Sequence, residues 1–262
     1  MRISVVALLL VALLPAPPAT VYAAAAADPV AAAVSSPDRS PADRERDTRD
    51  HPVDVLRFFG VTPGMTVVDL FAGGGYYSEL IGRIVGDGGK VYMYNNAAFQ
   101  AFAGDALKER IASGRLANVT PLNTEVGALG IPDASVDMVT MVTTYHDLYF
   151  KSDNWAVAWA VTPVALFADI NAMLKPGGVL AIVDHAAAVG SGSTAAQKLH
   201  RIDEAFARAD IESRGFKFTG SIDVLHNPVD DHTKTVFDPA IQGHTDRFVY
   251  RFVKATPTPP LN

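Results

Sequence analysis

The chain has 262 residues, a formal net charge of −6 and no cysteine. At roughly 150 residues per domain this is one or two domains, long enough to bury a full hydrophobic core. The missing thiols exclude disulfides, thiolate metal sites, iron–sulfur clusters and a cysteine nucleophile, and an acidic chain lacks the basic face that nucleic acid binding needs.

Arg2 precedes an apolar run from Ile3 to Leu14, then Pro15, Pro17 and Pro18 and an Ala-rich tract from Ala23 to Ala27. A positive start, a short apolar stretch and small residues form the pattern of a secretory signal peptide over residues 1–23, cleaved after Ala23. The run is shorter than the ~20 residues a membrane-spanning helix needs. The expected address is therefore periplasmic or secreted, with no stable membrane insertion after cleavage. Loss of Arg2 moves the net charge from −6 to −7. Residues 24–42 read as a linker, 43–256 as the folded domain and 257–262 as a tail. The mixed charges from Asp43 to Asp50 predict a solvated helical face. A helix follows Pro52 and stops at Gly60 and Pro63-Gly64.

From there strands and helices alternate. Strands are predicted at Met65–Phe71, Lys90–Tyr94, Val119–Leu122, Val136–Thr143, Val179–Val183, Phe216–Leu225 and Asp246–Val253. Helices are predicted near Tyr76–Val85, Phe99–Ala112, Pro163–Leu174 (with Thr162 as its cap) and Thr194–Arg214. The pattern implies one doubly wound, mainly parallel α/β sheet with helices on both faces. A ligand then belongs beyond the carboxyl ends of the strands, where strand order switches.

Asp69-Leu70-Phe71-Ala72-Gly73-Gly74-Gly75 closes the first strand and opens a helix there, and its glycines let backbone N–H groups approach a ligand. A dinucleotide fingerprint would need glycine where Ser78 stands, which disfavours a nicotinamide-dependent oxidoreductase.

The segment Asn118 to Glu125, followed by Ile131-Pro132-Asp133-Ala134-Ser135-Val136-Asp137-Met138-Val139, resembles the third-to-fourth-strand region of class I S-adenosylmethionine-dependent methyltransferases. Leu174-Lys175-Pro176-Gly177-Gly178-Val179-Leu180 resembles the turn before their fifth strand. The resemblance covers roughly Val53 to Lys254 and implies a seven-stranded sheet whose last strand is antiparallel, with S-adenosylmethionine as cofactor. It implies that Asp69 organises the glycine loop, that Gly73 and Gly75 admit the methionine part of the cofactor, and that Glu125 lies near the adenine amine. Asn95 stands where the family places the acidic residue that binds the ribose hydroxyls, and Phe71 stands at a usual glycine. Thr144-Tyr145-His146-Asp147-Leu148, Val183-Asp184-His185, Leu199-His200-Arg201-Ile202-Asp203 and Asn227-Pro228-Val229-Asp230-Asp231 further resemble a bacterial subgroup of signal-peptide-bearing predicted methyltransferases.

The strand ends collect the remaining chemistry. His146, with Asp147 orienting it or the substrate, is the expected general base for transfer to a small-molecule acceptor. Tyr145, His185, His200, Arg201 and Asp231 are candidates for the substrate mouth, with His200 and Arg201 placed on a helix. Three histidines with several carboxylates raise a metal site, but their scatter along the chain shows no ligand spacing, so no metal is expected. Tyr76, Tyr77, Trp155 and Trp159 are read as core. The alternative to an enzyme is an exported, non-catalytic binder of a nucleoside-like ligand. No oligomeric state is implied.

Overall fold

The computed structural model describes residues 28–152, 159 and 161–255. The expected signal peptide, the tail and Trp155 lie outside them. Seven strands, β1 (Thr66–Leu70), β2 (Lys90–Tyr94), β3 (Val119–Leu122), β4 (Val136–Val142), β5 (Leu174–His185), β6 (Phe216–Ile222) and β7 (Arg247–Lys254), form one sheet in the order β3-β2-β1-β4-β5-β7-β6. Pairs up to β4–β5 are parallel, and β7 runs antiparallel between β5 and β6. The doubly wound sheet with one reversed strand is thus as expected.

Alternation along the strands divides the core. Val67, Val91, Met138 and Ala181 face one side, under helices α3 (Pro52–Phe59) and α4 (Tyr76–Val85). Val68, Leu70, Val139 and Leu180 face the other, under α6 (Pro163–Met173) and α8 (Glu204–Ser213). This period of two is what a strand buried on both faces requires. Helix α5 (Ala97–Ala112) bends at Gly104, whose φ of 49° leaves the helical range, and contributes to both halves of the core.

Three expectations change. Within the expected linker, residues 28–42 include a capped helix, α1 (Pro29–Val34), whose Val30 and Ala33 are buried in the core shared with α3 and α4. Helix α2 (Pro41–Asp50) is a solvated charged face only in part: Arg44, Glu45 and Arg49 are exposed, but Asp43 and Asp50 are buried in ion pairs. Asp43 receives both terminal nitrogens of Arg110, at 2.9 and 2.8 Å, and Arg115 at 2.7 Å. Arg247 donates to Asp50 at 2.9 Å and to the Arg49 carbonyl at 2.8 Å. Opposite charges in alternation let the helix bury carboxylates, with partners from elements distant in sequence and, for Asp50, also from Arg46 at 2.5 Å in the same helix. Third, the helix expected over Thr194–Arg214 breaks after α7 (Ala196–Leu199). His200 adopts φ 53°, Ile202 bridges to Ala186 in the parallel sense, and Asp203 caps α8.

Among the described residues, no helix is long and apolar enough to cross a membrane.

Candidate active site

The chain winds outward from β1 through β2 to β3, then returns to β4 on the other side of β1. That switch opens a crevice beyond the carboxyl ends of β1 and β4. A cavity of about 220 Å³ occupies it, walled by the glycine loop, by Thr143, Thr144, His146 and Asp147 after β4, by His185 at the end of β5, and by His200. Phe102 and Phe237, 67% and 50% exposed, stand among its lining residues.

The glycine loop is held from below. Asp69 is fully enclosed and accepts the hydroxyls of Ser78 at 2.6 Å and Thr140 at 2.8 Å, which ties β1 to α4 and β4. Burial pushes its pKa up to about 6, against the pull of those hydrogen bonds. Gly73, at φ 56°, has open space where a side chain would begin. Gly75 serves packing instead: a Cβ there would meet the Met93 sulfur at 2.9 Å. Phe71 holds φ 52°, a conformation costly for an L residue. Its ring packs 5.1–5.3 Å from those of Tyr94, Phe99 and Trp159.

Asn95 departs from its expected role. Its amide accepts from the Gly73 N–H at 2.9 Å and donates to the Gly73 carbonyl at 3.0 Å, so both ends are spent on the loop. It positions Gly73 and does not line the cavity. Glu125 is exposed, accepts from the Ala97 N–H at 3.2 Å and stands outside the cavity.

Strand ends β4 and β5 set the opposite wall. Asp184, fully buried, accepts the His146 backbone N–H at 2.6 Å and faces the ring Nδ1 at 2.7 Å. With Nδ1–H given to Asp184, Nε2 is the nitrogen turned to Asp147 Oδ1, 3.3 Å away. Burial opposes charge on this ring, yet the Asp184 and Asp147 carboxylates raise its pKa to about 10. Both ring nitrogens of His146 thus face carboxylates, Asp184 on the Nδ1 side and Asp147 on the Nε2 side, so the ring is oriented between them. His185, its Nδ1 at 2.7 Å from the Thr245 hydroxyl, is pushed well below 6.5 by burial and by the charge of His146.

The other mouth candidates separate. The broken helix delivers His200 to the cavity, where its Nδ1 lies 3.4 Å from Asp147 Oδ1 and its ring packs between Phe150 and Phe237. Arg201 turns inward instead. It is fully buried, paired with Asp230 at 2.8 Å and bonded to the carbonyls of Ala186 and Lys234, so it holds the loop before β7. Tyr145 is core, its hydroxyl on Asp210. Asp231 is exposed and bonds Thr233 at 3.0 Å.

Three participants escaped sequence reasoning. Asp184 was visible only as part of a motif. Arg46, from α2, lines the cavity with its guanidinium 4.0 Å from the Tyr76 ring centre. Thr144 presents a buried hydroxyl with no hydrogen-bond partner to the same cavity, a polar atom left for a ligand.

No protein-family model matches the chain. It is 28% identical over 131 residues to the ubiquinone/menaquinone biosynthesis C-methyltransferase UbiE of Shewanella oneidensis, and 28% over 126 residues to that of Shewanella halifaxensis. These alignments take 50% and 48% of the chain, which spans about half the length of these curated relatives, 46% and 44%. Among solved structures, a SAM-dependent methyltransferase from Aquifex aeolicus superposes with TM-score 0.57 at 21% identity, over 82% of this chain and 94% of that one. The [4+2]-cyclase SpnF does so with TM-score 0.55 at 17% identity, over 85% of both. The strand order, the reversed β7 and these superpositions agree: the chain has the α/β fold of the class I S-adenosylmethionine-dependent methyltransferases.

Proposed function

We propose that the protein is an S-adenosylmethionine-dependent methyltransferase acting on a small acceptor with an apolar body, exported by the segment before residue 24. The observation that carries this reading is the single cavity wall running from the Gly73 loop to the strand ends of β4 and β5. The loop offers open space at Gly73; Arg46, paired with Asp50 through Nε, brings a cation for an amino acid carboxylate, and Thr144 an unpaired hydroxyl. Beyond the cavity lining, the Tyr94 hydroxyl at the end of β2 is buried without a hydrogen-bond partner, and Glu125 is an exposed acceptor. These residues fit the cofactor, with the difference that Asn95 acts through Gly73 and not by direct contact.

Bound there, the cofactor supplies an electrophilic methyl group on a sulfonium. The protein's own part is alignment and exclusion of water. Gly73, held by Asn95, fixes one reactant against the loop. Phe99, Phe102 and Phe237 provide apolar walls that suit the body of an acceptor entering from the exposed side. Asp184 fixes the His146 ring, which places Asp147 at the floor. The curated relatives' C-methyl transfer is consistent with an apolar acceptor.

Thermal unfolding with added ligands tests the reading, since a ligand at 100 times its Kd stabilises by about 2.7 kcal/mol. S-adenosylmethionine and its demethylated product should both raise the midpoint, and NAD should not. A shift with NAD alone, or with none of the three, would remove the proposal.

A further inference from the structure

The sequence shows no metal-ligand spacing, but the fold creates one. His146 and Asp147 lie in the 3-10 turn after β4 (His146–Tyr149), and His200 arrives from the break between α7 and α8. Their ligand atoms all lie within 4.8 Å of one another, with Asp147 Oδ1 3.3 Å from His146 Nε2 and 3.4 Å from His200 Nδ1. Bonds of about 2.0–2.2 Å to a common ion put neighbouring ligands about 3.0–3.5 Å apart. Asp147 Oδ1 is enclosed, in a residue only 5% exposed, yet neither imidazole contact has hydrogen-bond geometry. Asp147 Oδ1 therefore sits at ligand spacing from both ring nitrogens without being satisfied by either, and the two nitrogens lie within 4.8 Å of each other. A buried carboxylate oxygen left so is costly.

The surroundings match a metal centre as well. His146 Nδ1 engages Asp184 at 2.7 Å, the carboxylate–histidine arrangement that fixes a ligating ring and raises its basicity. Asp184 is itself fixed by the backbone N–H groups of His146 at 2.6 Å and His185 at 2.7 Å. His200 takes up an unfavourable φ of 53° to arrive there.

We propose that His146, Asp147 and His200 bind one divalent transition-metal cation, with Asp184 orienting His146 from behind. Two imidazoles and one carboxylate suit zinc, cobalt, nickel or iron(II) better than magnesium or calcium, which prefer oxygen ligands. Three protein ligands leave positions open towards the cavity, where an oxygen of the acceptor would bind. That last clause rests on the methyl-transfer reading; the metal site does not.

The test uses the full chain, stripped with a chelator and titrated with Co²⁺ in the absence of any cofactor, following ligand-field absorption and heat. One ion per chain is expected. Asp147→Asn and His200→Ala should each abolish saturable binding, with His200→Gln standing in if the alanine variant does not fold. Asp184→Asn should keep the stoichiometry and weaken binding roughly 10–100-fold. His232, which shares Asp246 with His226 at 2.9 Å each, provides the control: His232→Ala should bind as the parent does. No saturable binding by the parent, undiminished binding by Asp147→Asn and His200→Ala, or loss in His232→Ala instead would each overturn the site. Cofactor binding is not involved, so failure here leaves the methyl-transfer reading standing.

Discussion

Phe71 shows how one residue sets competing demands at the loop. Its left-handed backbone costs roughly 1–2 kcal/mol against glycine. Its buried ring, against Tyr94, Phe99 and Trp159, gains more, since truncating a buried Phe to Ala costs about 3–5 kcal/mol. Packing wins. Phe71→Gly should therefore lower stability in urea unfolding by about 1–4 kcal/mol, the difference between those two ranges. A variant as stable as the parent would show that strain, not packing, dominates. The sequence shows the missing glycine at this position but not the aromatic partners, which come from β2, α5 and the segment around residue 159. Asn95 carries a similar lesson. Its side-chain chemistry allowed ribose contact, and only the fold revealed that Gly73 takes both ends of the amide.

At the scale of elements, α2 is a pattern read only in part: Arg44, Glu45 and Arg49 are solvated as expected, while Asp43 and Asp50 are buried. Alternating charges look solvated until their partners are known, and Arg110, Arg115 and Arg247 stand 67, 72 and 197 residues away from the carboxylates they meet. The clamp reaches the site, because Arg110 also donates to the Gly74 carbonyl at 2.7 Å and pairs with Glu79. Burial works to raise the Asp43 pKa, but the Arg110 and Arg115 guanidiniums hold it well below the ordinary 3.8. A depressed carboxylate stabilises the fold above its unfolded pKa, and that contribution is lost as pH falls through the folded value. Parent stability should thus decline as pH drops below about 4. Asp43→Asn should cost about 3 kcal/mol at pH 7, the lower end for breaking a buried pair, and show a shallower decline in acid. Equal slopes in a pH series of denaturant melts would contradict the clamp. The helix break at His200 was equally hidden. Thr194–Arg214 has continuous helical propensity, and the interruption comes from tertiary bonds: Ile202 N–H to the His185 carbonyl at 3.0 Å and Arg201 to Asp230.

For the whole molecule, the sheet was legible because the inner strands β1, β4 and β5 carry short apolar runs bounded by glycine, proline or a charged turn, and parallel order follows from alternation with helices. The count of seven and the reversed β7 were implied by the family resemblance and agree with the structure, whereas the strand order comes from the structure alone. Distances between strand ends were not legible. They decide that His146, Asp147, Asp184 and His200 form one cluster, and that Tyr145, Arg201 and Asp231 stay outside the cavity. Export is proposed from residues 1–23, and intact mass of protein recovered from the periplasm or medium should show a chain starting at Ala24. A chain retaining Met1 there would contradict cleavage. The central claim, that the Gly73 loop holds S-adenosylmethionine, is tested most directly by calorimetric titration of the parent and of Gly73→Ala with S-adenosylhomocysteine. The added methyl group would enter the open space beside Gly73 at a φ of 56° that alanine tolerates poorly. The account predicts one site per chain in the parent and at least tenfold weaker binding in the variant. Saturable binding that is unchanged in Gly73→Ala, or no binding by the parent, would contradict it.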